Sequence, residues 1–210
     1  MQNDKSFMGT LEVSGTGNIE VAPDEATIRF SVITDAKTAA EAAATNAMQT
    51  QAVIDAVEQQ PNHGVTTSGL SVRPLTTYDS MTRTSKITGF RATNGVSVKT
   101  KIAYAAQIFD VGIGAGANQS SGIKFGIQDE GPHRDEALRI AVKQAFAEAS
   151  LVANAAQITL RGPESIQVNT GGRVVFRAEA MMAESVATPV LPDNLTISAT
   201  VRIVFRTEVS

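Results

Sequence analysis

The chain has 210 residues, 42% hydrophobic and 19% charged, the proportions of a globular protein rather than of a disordered tail. At that length roughly 70% of the surface exposed by the unfolded chain can be buried, so a self-sufficient core is expected. Eighteen Lys and Arg against 21 Asp and Glu leave a formal charge of −3, which disfavours nucleic-acid binding that depends on a basic footprint.

In chain order, two short apolar runs, Leu11/Val13 and Ile19/Val21, flank Gly15-Thr16-Gly17-Asn18. Glycines tolerate positive φ, so this stretch reads as a strand, a tight turn or bulge, and a strand. After Pro23-Asp24, Ala26, Ile28, Phe30 and Val32 alternate with Thr27, Arg29 and Ser31, the pattern of a half-buried strand. Ala36, Ala40, Ala43, Ala47, Thr50, Ile54 and Val57 then recur at steps of four and three, one face of a long helix. Pro61-Asn62-His63-Gly64 stops that helix, because proline cannot continue the ladder and Gly or Asn suits a left-handed cap.

Val65 to Leu75 and Ile87 to Lys101 return to a β pattern, with Thr76 to Ser85 read as a polar hairpin loop. Ala103 to Ala115 forms a shorter helix carrying Ile108, Val111 and Ala115, closed by the glycines at 112, 114 and 116. Ile123, Phe125 and Ile127 alternate as a strand. Beyond Gly131-Pro132 comes the strongest helical signal, Leu138, Val142, Ala145, Ala149, Val152 and Ala156. Gly162-Pro163 precede two further β runs: Val174, Phe176, Ala178 and Ala180, and then the long alternation Leu195, Ile197, Ala199, Val201, Ile203 and Phe205. The order is ββα ββα βα ββ. Strands arriving in adjacent pairs point to an α+β fold, an antiparallel or mixed β-sheet with helices packed on it, since a doubly wound parallel sheet would alternate strand and helix strictly.

The chemistry-bearing residues are few. Cysteine is absent, so no disulfide, zinc knuckle, iron-sulfur cluster or thiol nucleophile can be built. Two histidines, His63 and His133, are too few for a transition-metal centre, and no cofactor is expected. Gly112-Ile113-Gly114-Ala115-Gly116 has the wrong spacing for a dinucleotide fingerprint and closes a helix instead of opening one. Neither G-x-S-x-G nor the P-loop pattern occurs. Asp24-Glu25, Asp129-Glu130 and Asp135-Glu136 are sequence neighbours, read as turn and cap residues rather than as carboxylates converging across a cleft. His133 falls at a helix start and His63 in a turn. The sequons at Asn118 and Asn194 are what chance provides in a chain rich in Asn, Ser and Thr. With no Trp and two Tyr, stacking platforms for bases or sugars are poorly supplied. No stretch approaches the eighteen or so apolar residues of a membrane span.

Several local patterns combine. Gly15-Thr16-Gly17 followed by Pro23-Asp24-Glu25-Ala26, then Thr38-Ala39-Ala40-Glu41-Ala42 with Asn46, resembles the opening of the SIMPL-domain family. The likeness continues through Thr67 to Pro74, Ile87 to Asn94, Gly116-Ala117-Asn118 and Gly122 to Phe125, and closes with Glu136 to Arg139, Ala141-Val142, Ala145 and Thr188-Pro189. The chain departs from the family pattern in two turns, at Ala155 to Arg161 and at Leu191-Pro192-Asp193. The implied organisation is a flexible segment 1–9, a SIMPL-like α+β domain 10–207 and a tail 208–210. The resemblance implies a non-enzymatic extracytoplasmic protein, periplasmic or secreted, that assembles with copies of itself and is linked to envelope or oxidative stress. The eukaryotic branch acts as a signalling adaptor. The polar start Met1 to Lys5 is no signal-peptide core, and with the resemblance it leads to the expectation of a cleaved signal peptide encoded ahead of Gln2. The alternatives are a small-ligand binder or enzyme with an unrecognised pocket, or a protein-binding adaptor.

For self-association the sequence offers Ala178 to Val190. This link between strands carries Met181, Met182 and Val186 where a solvated loop would be polar. Methionine adapts to irregular contact surfaces.

Overall fold

In the computed structural model, residues 8–81, 83–169, 175–176 and 192–209 are described. The elements in order are β1 (Met8–Val21), β2 (Glu25–Ala36), α1 (Ala39–Glu58), β3 (Gly64–Asp79), β4 (Thr84–Lys101), α2 (Ile102–Gly114), β5 (Gln119–Gly126), α3 (Gly131–Ala156), β6 (Ile158–Asn169), β7 (Val175–Phe176) and β8 (Leu195–Val209). The fold is α+β, with every strand pair among the described residues antiparallel. The chain divides into two compact units.

One unit comprises the described residues of Pro23–Gln128 and Ala180–Pro192. Its sheet runs β3-β4-β2-β5. The alternation read from Ala26 to Val32 forms the core face of β2, and all four residues are buried against Val53 and Val57 of α1, Val96 and Val98 of β4, and Ala105 and Ile108 of α2. α1 starts at a reciprocal cap: Thr38 Oγ1 accepts the Glu41 N–H at 3.2 Å, and Glu41 Oε2 accepts the Thr38 N–H at 3.3 Å. Its buried line is Ala42, Asn46, Thr50, Val53 and Val57, which keeps only Thr50 and Val57 of the face expected from sequence. Asn46 can enter the core because its Nδ2 donates to the Val32 carbonyl at 2.8 Å and its Oδ1 accepts from Thr50 at 3.4 Å. Gly112 lies inside α2, where an added Cβ would fall 2.5 Å from Phe30 Cζ; that glycine serves helix–sheet packing. The expected loop from Thr76 to Ser85 is shorter in the structure, since pairing continues to Asp79↔Thr84. This unit is held together where the chain enters and leaves it: Asp24 Oδ1 accepts the Gln128 N–H at 2.8 Å and the Gly126 carbonyl accepts the Asp24 N–H at 3.1 Å.

The other unit comprises the described residues of Met1–Ala22, Asp129–Glu179 and Asp193–Ser210. Its sheet runs β1-β8-β6, with β7 also on β8. The long alternation from Leu195 to Phe205 is buried at every second residue, and its Val201, Ile203 and Phe205 pack with Val13 under α3. Two expectations are corrected here. β1 is one continuous strand, with Gly15 paired to Val201 and Gly17 to Ala199. Its glycines permit close approach of a helix: a Cβ on Gly15 would lie 2.0 Å from the Ala141 carbonyl oxygen, and one on Gly17 1.9 Å from that of Ala137. Correspondingly, α3 buries Ala137, Ala141, Ala145, Ala149 and Ala153, a line of small residues that admits the backbone of β1. Leu138 and Val142, expected on the core face, sit at its margin, and Val152 is more exposed. β6 also adds a strand that the sequence reading passed over. Of the run from Val174 to Ala180, only Val175–Phe176 falls within the described residues, and the strand exists there.

Candidate functional site

Met181, Met182 and Val186, the residues read from sequence as a self-association surface, lie outside the described residues. The remaining chemistry-bearing groups can be placed. Asp24 and Asp129 accept backbone N–H groups in turns, Asp129 from Gly131 at 2.9 Å. Glu130 pairs with Arg134 at 2.7 Å and Glu136 with Arg139 at 3.0 Å, one turn away along α3. Such exposed pairs contribute little to stability and leave no carboxylate poised against another.

Glu25 corrects the reading of its pair as turn residues. It is buried at the start of β2, where its Oε2 lies 3.1 Å from Lys99 Nζ and its Oε1 3.8 Å from His63 Nδ1. The register of β2 on β4 puts Glu25 opposite Lys101, close to Lys99. Thr100 Oγ1 donates to the Pro61 carbonyl at 2.7 Å and the His63 N–H to the Lys99 carbonyl at 2.7 Å, which carries the α1–β3 turn onto this corner. At 3.8 Å the imidazole lies beside Glu25 but is not its hydrogen-bond donor. Among the described residues, no group of three or more His, Asp or Glu is arranged to hold a metal ion. The cluster ties turn to sheet.

Asp35, Arg73 and Arg91 form a second charged group. Arg73 and Arg91 face each other across β3 and β4, and Asp35 sits opposite Arg91 from β2. Arg91 donates to both Asp35 oxygens at 2.7 Å. These bonds hold the Asp35 carboxyl below its ordinary range, and the charges of Arg91 and Arg73 act in the same direction.

Among the described residues, α3 carries an apolar concavity. Leu138, Val142 and Phe146, spaced by one turn, line an open groove of about 610 Å³ with Asp135, Arg139 and Lys143 on its rim. The Phe146 ring stands edge-on to Phe205 at 5.1 Å and 86° and is 41% exposed. Ile166 and Val168 of β6, opposite Ile203 and Val201, are 51% and 52% exposed. Because the alanine line sinks α3 onto β1, the larger side chains beside it are left part-covered. Sequence reasoning took Leu138 and Val142 as core and passed over Phe146. The available signal was the spacing of five alanines by four, matched to a Gly-x-Gly strand. This arrangement offers apolar contact, not proton transfer.

Residues 11–205 match the SIMPL family model, described as a protein of unknown function (DUF541). The chain is similar to the 26 kDa periplasmic immunogenic protein of Brucella melitensis, with 26% identity over 211 residues that cover 93% of this chain and 83% of that protein. The Brucella abortus protein of the same name gives the same figures. The uncharacterized protein YggE of Escherichia coli K12 is 26% identical over 145 residues, 69% of this chain and 59% of its own.

Proposed function

The chain belongs to the SIMPL family, and on that premise we propose that it is a non-enzymatic extracytoplasmic protein, periplasmic or secreted, that assembles with copies of itself and is linked to envelope or oxidative stress. The names of the Brucella relatives support the location. The observation that carries self-association is the part-covered apolar surface beside the alanine line, lined by Leu138, Val142 and Phe146, the last 41% exposed. Apolar surface concentrated in this way marks contact sites. Met181, Met182 and Val186 belong to the same proposal on composition alone.

Sedimentation velocity at micromolar concentration tests it. A species larger than 22.1 kDa is expected, reduced by Phe146→Ser or by Met181→Ser/Met182→Ser; a 22.1 kDa monomer as the sole species overturns it. Expression of the full gene followed by cell fractionation tests location, and recovery in the cytoplasm of the unprocessed product would refute it.

A second reading takes the α3 groove as a small-ligand site, favoured by its volume of about 610 Å³. A thermal-shift screen separates the two, because a ligand that binds only the folded state raises the midpoint.

A further inference from the structure

The β3–β4 hairpin runs past the sheet that supports it. β2 ends at Ala36, opposite Phe90, yet β3 and β4 stay paired through Leu75↔Gly89, Thr76↔Ile87, Thr77↔Lys86, Tyr78↔Ser85 and Asp79↔Thr84. Five further residues at about 3.4 Å each carry the turn roughly 17 Å beyond the last three-stranded pair. A two-stranded ribbon alone in water is marginal, and this one exposes apolar groups. Tyr78 is 63%, Ile87 61% and Met81, in the turn, 94% exposed. Tyr78 and Ile87 share a face with Val72, while Arg73 and Lys86 project from the opposite face. The charged residues of 72–88 are Arg73, Arg83 and Lys86 against Asp79.

We propose that this ribbon docks tip-first on an anionic lipid surface, with Met81, Tyr78 and Ile87 entering the boundary between headgroups and acyl chains and with Arg83 and Lys86 at the level of the phosphates. The warrants are charge complementarity, the apolar groups gathered at the end of a projecting ribbon, and the residue types. Tyrosine suits the membrane–water boundary, and Lys and Arg lay their stems along apolar surface while the charge stays wet. A second copy of the chain fits less well. A two-fold contact between ribbons would set the same cationic patch against itself, and lysine is depleted from contacts between proteins. The proposal is independent of self-association through α3.

The test is cosedimentation of the whole chain with vesicles of phosphatidylcholine alone or mixed with phosphatidylglycerol. Each cation near an anionic surface favours binding, so the mixed vesicles should retain about tenfold more protein or better. Salt at about 0.5 M, where charges are screened beyond roughly 4 Å, should abolish most of that difference. Met81→Asp/Ile87→Ser should lose it, and its melting curve should match the parent because both side chains are exposed. Arg83→Glu/Lys86→Glu is the second variant and should act the same way without touching the apolar groups. No preference of the parent for phosphatidylglycerol overturns the proposal, as does full binding by either folded variant. A change in sedimentation coefficient caused by the variants without lipid, in a parent that ignores vesicles, assigns the ribbon to a second copy and also overturns it.

Discussion

Gln144 of α3 places its Oε1 3.0 Å from the Thr16 nitrogen and accepts that N–H. β1 is an edge of its sheet, paired to β8 alone among the described strands, so every second N–H faces away from the ladder and is a template for another chain. Gln144 blocks one such position. Gln144→Ala should lower stability by about 1 kcal/mol and increase light scattering on heating; an unchanged melt and unchanged scattering would show that the bond does not form in solution.

The approach of β1 to α3 leaves no room for a side chain at Gly15 or Gly17. Gly15→Ala or Gly17→Ala would force a methyl within 2.0 Å or 1.9 Å of a helix carbonyl oxygen, contacts with backbone that no rotamer relieves. Either should cost about 3 kcal/mol or more. Gly114→Ala is the matched control: nothing lies within 4 Å of its added methyl, and at the end of α2 it should be neutral or gain up to about 1 kcal/mol. Thermal unfolding of the three variants checks the order.

Asn46 is a polar group inside an apolar core, tolerated because its bonds are made. Asn46→Leu keeps the branching at Cγ, adds volume, and removes the acceptor of Thr50 and the donor to Val32 and Ala92. A loss of about 2 kcal/mol in denaturant titration is expected. Equal stability would mean that the apolar contacts of leucine offset the lost bonds.

Asp35 predicts a pH dependence. Its carboxyl is held below the ordinary value near 3.8 in the folded chain by Arg91 and, less, by Arg73. A depressed folded pKa gives stability that is present above the unfolded value and lost as pH falls through the folded one. The parent should therefore lose this contribution below about pH 4, whereas Asp35→Asn, which leaves Arg73 and Arg91 facing each other, should be weaker at neutral pH and flatter toward acid. The effect is small because the pair is solvent-exposed. Parallel pH–stability curves for the two proteins would refute it.

Val201 and Ile203 are fully buried in β8. Val201→Asp would place an unpaired carboxylate beneath α3 and should cost more than about 4 kcal/mol. A soluble variant with the parent's melting temperature would contradict the packing described.

How far the fold was legible follows from where each signal originates. Strict alternation in β2 and β8 is set by one face of one strand, and Ala26 to Val32 and Leu195 to Phe205 are buried as that pattern implies. Gly15 and Gly17 were ambiguous, since glycine in a strand serves a turn as readily as a close approach, and the helix that decides between them is more than a hundred residues away. The face of α1 was misplaced because alanines look apolar and Asn46 does not, although hydrogen bonds settle which of them enters the core. Only the pairing of β3 with β4 was legible, through the hairpin loop between them; β1 with β8 and β2 with β4 reflect which edges meet, which no local period encodes. The groove on α3 was hidden for the same reason, its depth depending on how far Gly15 and Gly17 let the helix sink.

The hydrogen bonds that join Asp24 to Gly126 and Gln128 have a consequence for the order in which the chain can fold. Thr16 and Thr200 are 184 positions apart, and uniting them from an open coil carries a closure cost that grows with the logarithm of the intervening length. Once Pro23–Gln128 is folded, its entry and exit are fastened together, and for the strand and helix on either side more than a hundred residues shrink to the span of a short turn. The inserted unit closes its sheet from contiguous chain, whereas β1, α3 and β8 come from either side of it, so folding of the inserted unit lowers the closure cost of bringing them together.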